Sequence, residues 1–337
     1  MKKIVLLLSL FFFLSISSAF SASVNYEKVK TLVGYTGEVL SIAFSPDGKT
    51  MVIGTSEKKL VIYNVATWQI TTTVEENNSR VTALAFSRDG KLLASGDRKK
   101  RVCIFDTTTW KVSQKFKAYD DVEALAFNPD GSLLAAAGGG KEKAMLWDVK
   151  NDELSKTLTS RYGDVRTIAF SPDGTQVAGG TSNNKVVLWE TASGSELKVM
   201  EGHSRSVQTI TYSPDGKYLV SGGGDNAIMI WDAKTGKVLN PIVGAHSDTI
   251  CALSFIPNTT IFVAGECKIF LGPFFTPSYV AGDGCKVIFW DAETAKPLKT
   301  IKTNCSLSSA AVSPDGKYFV TGNATGPGQY VTVYEKK

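Results

Sequence analysis

The chain contains only two histidines, His203 and His246, so any chemistry that needs an imidazole is confined to those positions. His203 is followed at short range by Ser221 and Asp225, a set of types that could carry nucleophilic catalysis or, with further ligands, hold a metal. A second group of acidic residues, Glu38, Asp121, Glu123 and Asp164, stands just ahead of inner-strand runs in different repeats; carboxylates gathered at one opening either line it or could perform acid–base work. The chain has no Gly-x-Ser-x-Gly elbow, no phosphate-binding glycine loop leading into a helix, no Cys-x-x-Cys pair and no calcium loop. Two histidines cannot make a histidine-rich metal site, and no cofactor is implied.

The elements that position these residues are short strands. Val207–Tyr212 and Tyr218–Val220 are β-branched and aromatic runs joined by Ser213-Pro214-Asp215-Gly216. Proline presets φ at the second position of a type I turn, aspartate tolerates the third, and glycine closes it, so the unit reads as an antiparallel hairpin. Gly222-Gly223-Gly224-Asp225-Asn226 reads as the next turn, where positive φ is expected, and Ala227–Trp231 as a third strand. The first turn recurs as Ser45–Gly48, Ser87–Gly90, Asn128–Gly131, Ser171–Gly174, a degraded Ile256–Thr259 and Ser313–Gly316. Successive turns are 41 to 43 residues apart, with a last interval of 57. Closing dipeptides follow in step: Tyr63-Asn64, Phe105-Asp106, Trp147-Asp148, Trp189-Glu190, Trp231-Asp232 and Trp290-Asp291.

With Gly202-His203 at its start and Trp231-Asp232 at its end, the fifth unit resembles a WD40 repeat, and the period fits that family's four strands per blade. The resemblance implies an all-β, seven-bladed WD40-type β-propeller over residues 24–337. Each repeat alone leaves two apolar sheet faces bare, and a closed ring covers them all. The seventh repeat offers only three strands, ending near Tyr330–Tyr334. Lys28–Val33 lines up with Glu196–Glu201 before Gly202 and is expected to supply the fourth, closing the ring without a covalent link.

In WD40 repeats a histidine, a serine or threonine, an aspartate and a tryptophan form a buried hydrogen-bonded tetrad; the matching positions here are His203, Ser221, Asp225 and Trp231. This assigns His203 a structural role in place of a catalytic one. At the aspartate position the other repeats show Glu57, Lys99, Lys141, Asn183, Gly284 and Gly328, which predicts blades held by apolar packing.

The family also implies that the second-to-third-strand turns and the interblade connections share one end of the ring, which often binds partners. Three of those turns are basic: Lys58 and Lys59; Arg98, Lys99, Lys100 and Arg101; Lys141 and Lys143. They form an expected arc that is either a solvated rim or a surface for an acidic partner. A formal net charge of +5, two units of it from Lys2 and Lys3, is too mild to point to nucleic acid. The long last interval marks an insertion at 267–280 in the sixth repeat, carrying Phe270, Phe274, Phe275 and Tyr279. It is either a binding anchor or a plug for the channel mouth. Arg166 and Gln208, at the starts of inner strands, would complete the rim. Cys267 and Cys285 flank the insertion and could staple its base in an oxidising compartment, with Cys305 a rival partner. Cys103 and Cys251 are expected to be unpaired, Cys103 as a small buried hydrophobe.

Residues 1–21 read as a secretory signal of bacterial type: basic Met1–Lys3, apolar Ile4–Leu14, then small residues for a peptidase. The apolar run is short for a membrane span, so contact with a membrane is expected only if this segment stays uncleaved. The product would be periplasmic or secreted. Two functions follow: a non-enzymatic scaffold binding another protein on that end of the ring, or an exported hydrolase or lyase using the channel-mouth carboxylates.

Overall fold

The computed structural model describes residues 24–140, 143–267, 285–303, 307–323 and 330–337, together with the backbone of Phe270–Leu271 and Pro277–Ser278. Seven four-stranded antiparallel sheets form the ring, and no helix occurs among the described residues. The inner strands of blades 1 to 7 are, in order, Val39–Phe44, Val81–Phe86, Ala124–Phe127, Val165–Phe170, Val207–Tyr212, Thr249–Phe255 and Leu307–Val312. Each sheet then runs outward in chain order; in blade 5 the second, third and outer strands are Tyr218–Gly223, Ile228–Asp232 and Val238–Ile242. Because the strands meander, all second-to-third-strand turns and all blade-to-blade connections lie at one end, here the upper end. The Ser-Pro-Asp-Gly turns lie at the lower end. There Ser213 Oγ donates to Asp215 Oδ1 at 2.6 Å, Gly216 N donates to Ser213 O at 2.9 Å, and Gly216 has φ +73°.

Blade 7 is completed as expected. Tyr26–Leu32 pairs antiparallel with Val331–Lys336, from Tyr26 opposite Lys336 to Leu32 opposite Val331. Tyr26 fixes one end: its ring stacks on Phe289 at 5.1 Å and its hydroxyl donates to Gly316 O at 2.5 Å. Leu32 fixes the other, packing with Val320, Val331 and Val333 of blade 7 against Val39, Ile42 and Ile53 of blade 1. The ring therefore closes through a hydrophobic cluster of the same kind that joins every other pair of blades.

A repeated glycine explains how the blades approach so closely. On the second strand of blades 1, 2, 4, 5, 6 and 7 stand Gly54, Gly96, Gly180, Gly222, Gly265 and Gly322. A Cβ at each would come within 2.3 to 2.9 Å of the next blade's first inner-strand side chain or the one beside it: Val81, Val122, Val207, Ile250, Leu307 and Val39. Blade 3 has Ala137 at this place, packed in one cluster with Val165. Hydroxyl and thiol groups cross the same seams. Ser41 Oγ donates to Val81 O at 3.2 Å, Thr82 Oγ1 to Val122 O, Cys251 Sγ to Leu307 O at 3.7 Å, and Ser308 Oγ to Val39 O across the closing seam.

Candidate partner-binding face

The tetrad of blade 5 is complete. Trp231 Nε1 donates to Ser221 Oγ at 2.8 Å, and Ser221 Oγ lies 2.8 Å from His203 Nε2. His203 Nδ1 lies 3.1 Å from both carboxylate oxygens of Asp225. One tautomer satisfies every contact: the Nδ1–H donates to Asp225 and Nε2 accepts from the serine hydroxyl. Asp225 also accepts from Ser204 N at 2.8 Å and Ala227 N at 3.2 Å. Burial pushes this carboxyl up, but the His203 contact and the two amides outweigh it and bring the pKa down to about 2. Asp225 thus ties the connection entering blade 5 to the turn beside it, and the upper end is held rigidly there. The turn takes the positive φ expected of it at Asn226, +63°, while Gly222 and Gly223 lie in the second strand and none of Gly222–Gly224 has positive φ. These glycines are needed for space instead: a Cβ at Gly222 would strike Ile250, and one at Gly223 would strike His203 and Asp225.

The expectation that the other blades lack this carboxylate is corrected in two places. In blade 6, Glu266 follows the seam glycine Gly265 directly and reaches the same groups with its longer arm. Its carboxylate lies 3.2 Å from His246 Nδ1 and accepts from Ser247 N at 3.0 Å and Lys286 N at 2.8 Å. Burial raises its pKa, but these partners hold it below the usual range. In blade 2, Asp97 occupies the equivalent strand position and accepts from the amides of Asn78, Lys99 and Arg101 at 2.8 to 3.1 Å. Asn77 replaces the histidine there and accepts from Ser95 Oγ at 2.7 Å. Ser-Gly-Asp at 95–97 and Ala-Gly-Glu at 264–266 carried the signal, a carboxylate directly after the seam glycine.

The basic arc is partly neutralised. Lys59 pairs with Glu75 at 2.8 Å and Lys100 with Asp120 at 3.6 Å, while Lys143 Nζ lies 5.7 Å from the centre of the Tyr119 ring. Lys58, Arg98 and Lys99 are exposed at the upper end, Arg101 is half-buried, and Lys141 lies outside the described residues. Lys58 and Lys100 are the positive-φ residues of their turns, at +68° and +63°. Of the channel-mouth carboxylates, Glu38 pairs with Arg80 at 2.5 Å and Glu123 with Arg166 at 3.5 Å, each linking adjacent blades. Burial raises the Glu123 carboxyl, and Arg166 and Arg98 oppose that rise. Arg166 therefore serves the seam between blades 3 and 4. Gln208 is half-buried at the matching bulge of blade 5, its amide donating to Ser206 Oγ at 2.7 Å.

The insertion joins the second strand of blade 6, Ile261–Cys267, to the third, Lys286–Asp291, so it departs from the upper end. Phe270–Leu271 pairs with Pro277–Ser278. The side chains of Phe270, Phe274, Phe275 and Tyr279, like Cys305, Gly284, Gly328 and the signal segment, lie outside the described residues. No disulfide joins Cys267 to Cys285, contrary to expectation; both are buried thiols. Cys251 is in no disulfide, as expected, and its Sγ lies 3.7 Å from both Gly265 O and Leu307 O. Cys103 is a fully buried thiol within the core that joins blades 1 and 2.

Residues 194–232, which contain the whole tetrad, match the family model for the WD domain, G-beta repeat. Residues 33–195 match a model described as a domain of unknown function, DUF7165. No curated protein matches the chain. The ring of seven blades together with the matched repeat defines a WD40-type β-propeller.

Proposed function

We propose that this propeller is a non-enzymatic interaction scaffold that acts outside the cytoplasm and binds another protein on its upper end. The observation that carries the reading is the contrast between a regular ring and one long insertion, rising from the upper end of blade 6 between Cys267 and Lys286. Aromatic residues in that segment supply large contact area with little rotamer entropy, and Pro273 and Pro277 limit the entropy lost on binding. Arg166 and Gln208 would border it. Location outside the cytoplasm rests on the basic, apolar and small-residue order of residues 1–21. The alternative of an exported hydrolase or lyase is less well supported, because Glu38 and Glu123 are engaged with arginines across blade seams. Replacing Ile269–Tyr279 by a short Gly-Ser turn tests the scaffold reading. The shortened protein should keep its unfolding transition and lose capture of its native partner. Unfolding would make the segment a plug, and retained capture would move the site, most naturally to the exposed part of the basic arc.

A further inference from the structure

The inner strands of blades 2 to 5 each finish, at the lower end, on an aromatic residue: Phe86, Phe127, Phe170 and Tyr212. Each ring packs into the core that joins its blade to the one before. Tyr212 is buried, but the three phenylalanines are only half-buried, so part of each stays uncovered at the lower mouth of the channel. The residues just ahead of the last three aromatics are small: Ala126, Ala169 and Thr211. Together they enclose a cavity of about 530 Å³, which the Ser-Pro-Asp-Gly turns of blades 3 to 5 border through their prolines. The cores hold the rings, so these walls exist before any ligand arrives.

The lining contains one charged residue, Arg88. It stands at the second position of the blade 2 turn, where every other turn has proline, from Pro46 in blade 1 to Pro314 in blade 7. The turn keeps its form without the proline: Ser87 Oγ donates to Asp89 Oδ1 at 2.7 Å, and Gly90 N donates to Ser87 O at 2.9 Å. Folding therefore gives no reason for an arginine there. Asp89 pairs with Lys91 at 3.6 Å, and the exposed Arg88 forms no ion pair among the described residues. No carboxylate lines the cavity. Those of the bordering turns, Asp130, Asp173 and Asp215, face their own backbone, accepting from Ser132 N, Thr175 N and Lys217 N at 2.8 to 3.1 Å.

We propose that the lower mouth of the channel binds a small apolar monocarboxylate, a medium-chain fatty acid or an arylalkanoate, with Arg88 receiving its carboxylate. The apolar body covers the bare parts of Phe86, Phe127 and Phe170 and the methyl groups of Ala126 and Ala169, releasing the water that wets them. The guanidinium presents a planar fork of N–H donors that matches the two oxygens of one carboxylate. A concave, mostly apolar wall with one placed charge is the usual make-up of a small-molecule site, and the volume falls within the range of such sites. Charge selects the class of ligand. An amine meets a cation and no lining carboxylate, and an uncharged body leaves Arg88 without a counterpart. The site lies at the opposite end of the ring from the insertion, so it fills whether or not a protein occupies the upper end.

Titration calorimetry of the full chain with decanoate, kept below its micelle concentration, tests this. A single saturable site is expected, with decanol and decylamine binding more weakly. Arg88→Pro gives blade 2 the turn of its neighbours, so it should fold as the unsubstituted chain does. It should weaken decanoate roughly tenfold and leave decanol unchanged. Ala169→Phe fills the cavity and should abolish binding of both. If that variant fails to fold, the Arg88→Pro comparison decides alone. Absence of saturable decanoate binding would overturn the assignment. So would equal affinity for decanoate and decanol, or decanoate binding unchanged in Arg88→Pro, since either would reveal an apolar surface that does not recognise the head group. Decanoate that dissociates a dimer in sedimentation would give the mouth to a second copy of the chain and overturn the assignment as well.

Discussion

In blade 5 the carboxylate that holds the upper connection comes from Asp225, in the turn; in blade 6 it comes from Glu266, in the strand. Both reach a histidine Nδ1, the next residue's amide and an amide at or beside the start of the third strand. The histidine and tryptophan rings are similarly disposed, with centroids 6.5 Å apart in blade 5 and 6.1 Å in blade 6. The blades differ at the middle of the relay. Ser221 joins His203 to Trp231, whereas blade 6 has Ala264 at that position, leaving His246 Nε2 and Trp290 Nε1 buried without a protein partner. What must be preserved is the tie between the interblade connection and its neighbouring turn. Which residue supplies the carboxylate is free to vary, and so is the serine. The blade with the incomplete relay is also the blade with the insertion.

Three perturbations sharpen this comparison. The largest effect is expected from Trp231→Ala, which opens a cavity in the cluster joining blades 4 and 5 and should destabilise by about 3–5 kcal/mol in denaturant titration. A loss below 1 kcal/mol would mean that the tetrad contributes little to the seam.

The second concerns acid. Asp225 has its carboxyl depressed to about 2 from an ordinary 3.8. A depressed carboxyl stabilises the fold above its unfolded value and loses that contribution as pH falls through the folded one. About 2 kcal/mol should therefore be present above pH ~4 and disappear towards pH ~2. Comparing Asp225→Asn with the unsubstituted chain over this range should show two stability curves that converge at the acid end. Parallel curves would contradict the assignment.

The smallest effect has the opposite sign. Ala264→Ser places a hydroxyl where Ser221 lies in blade 5 and can satisfy both orphaned nitrogens, which should stabilise by about 1 kcal/mol. Ser221→Ala creates the blade 6 arrangement in blade 5 and should cost about 1–2 kcal/mol. Equal responses in sign would show that the two blades are not built alike.

Much of the ring was legible in the sequence because its determinants are local and repeated. Ser-Pro-Asp-Gly specifies its own turn, the strands alternate around it, and the shortfall of one strand in the seventh repeat points to Lys28–Val33, within a residue or two of the strand found, Tyr26–Leu32. The seam glycines were visible as letters, but their reason was not: it lies in the approach of Val39, Val81 or Ile250 from the next blade, which no single repeat reveals. Glu266 and Asp97 escaped notice for a related cause. Matching side chains by aligned position assumes equal arm lengths, and a carboxylate directly after the seam glycine can reach the same amides.

The central claim is that the upper end, beside blade 6, is the binding face. It is tested most directly by placing a photo-crosslinking amino acid singly at Val243 or Arg205, both exposed at the upper end, and at Asp215 or Asp173 in the lower turns, of the chain expressed in its native cell. The account predicts one common protein captured from both upper positions and absent from both lower ones. Capture of that protein from the lower turns alone, with the upper positions silent, would contradict it.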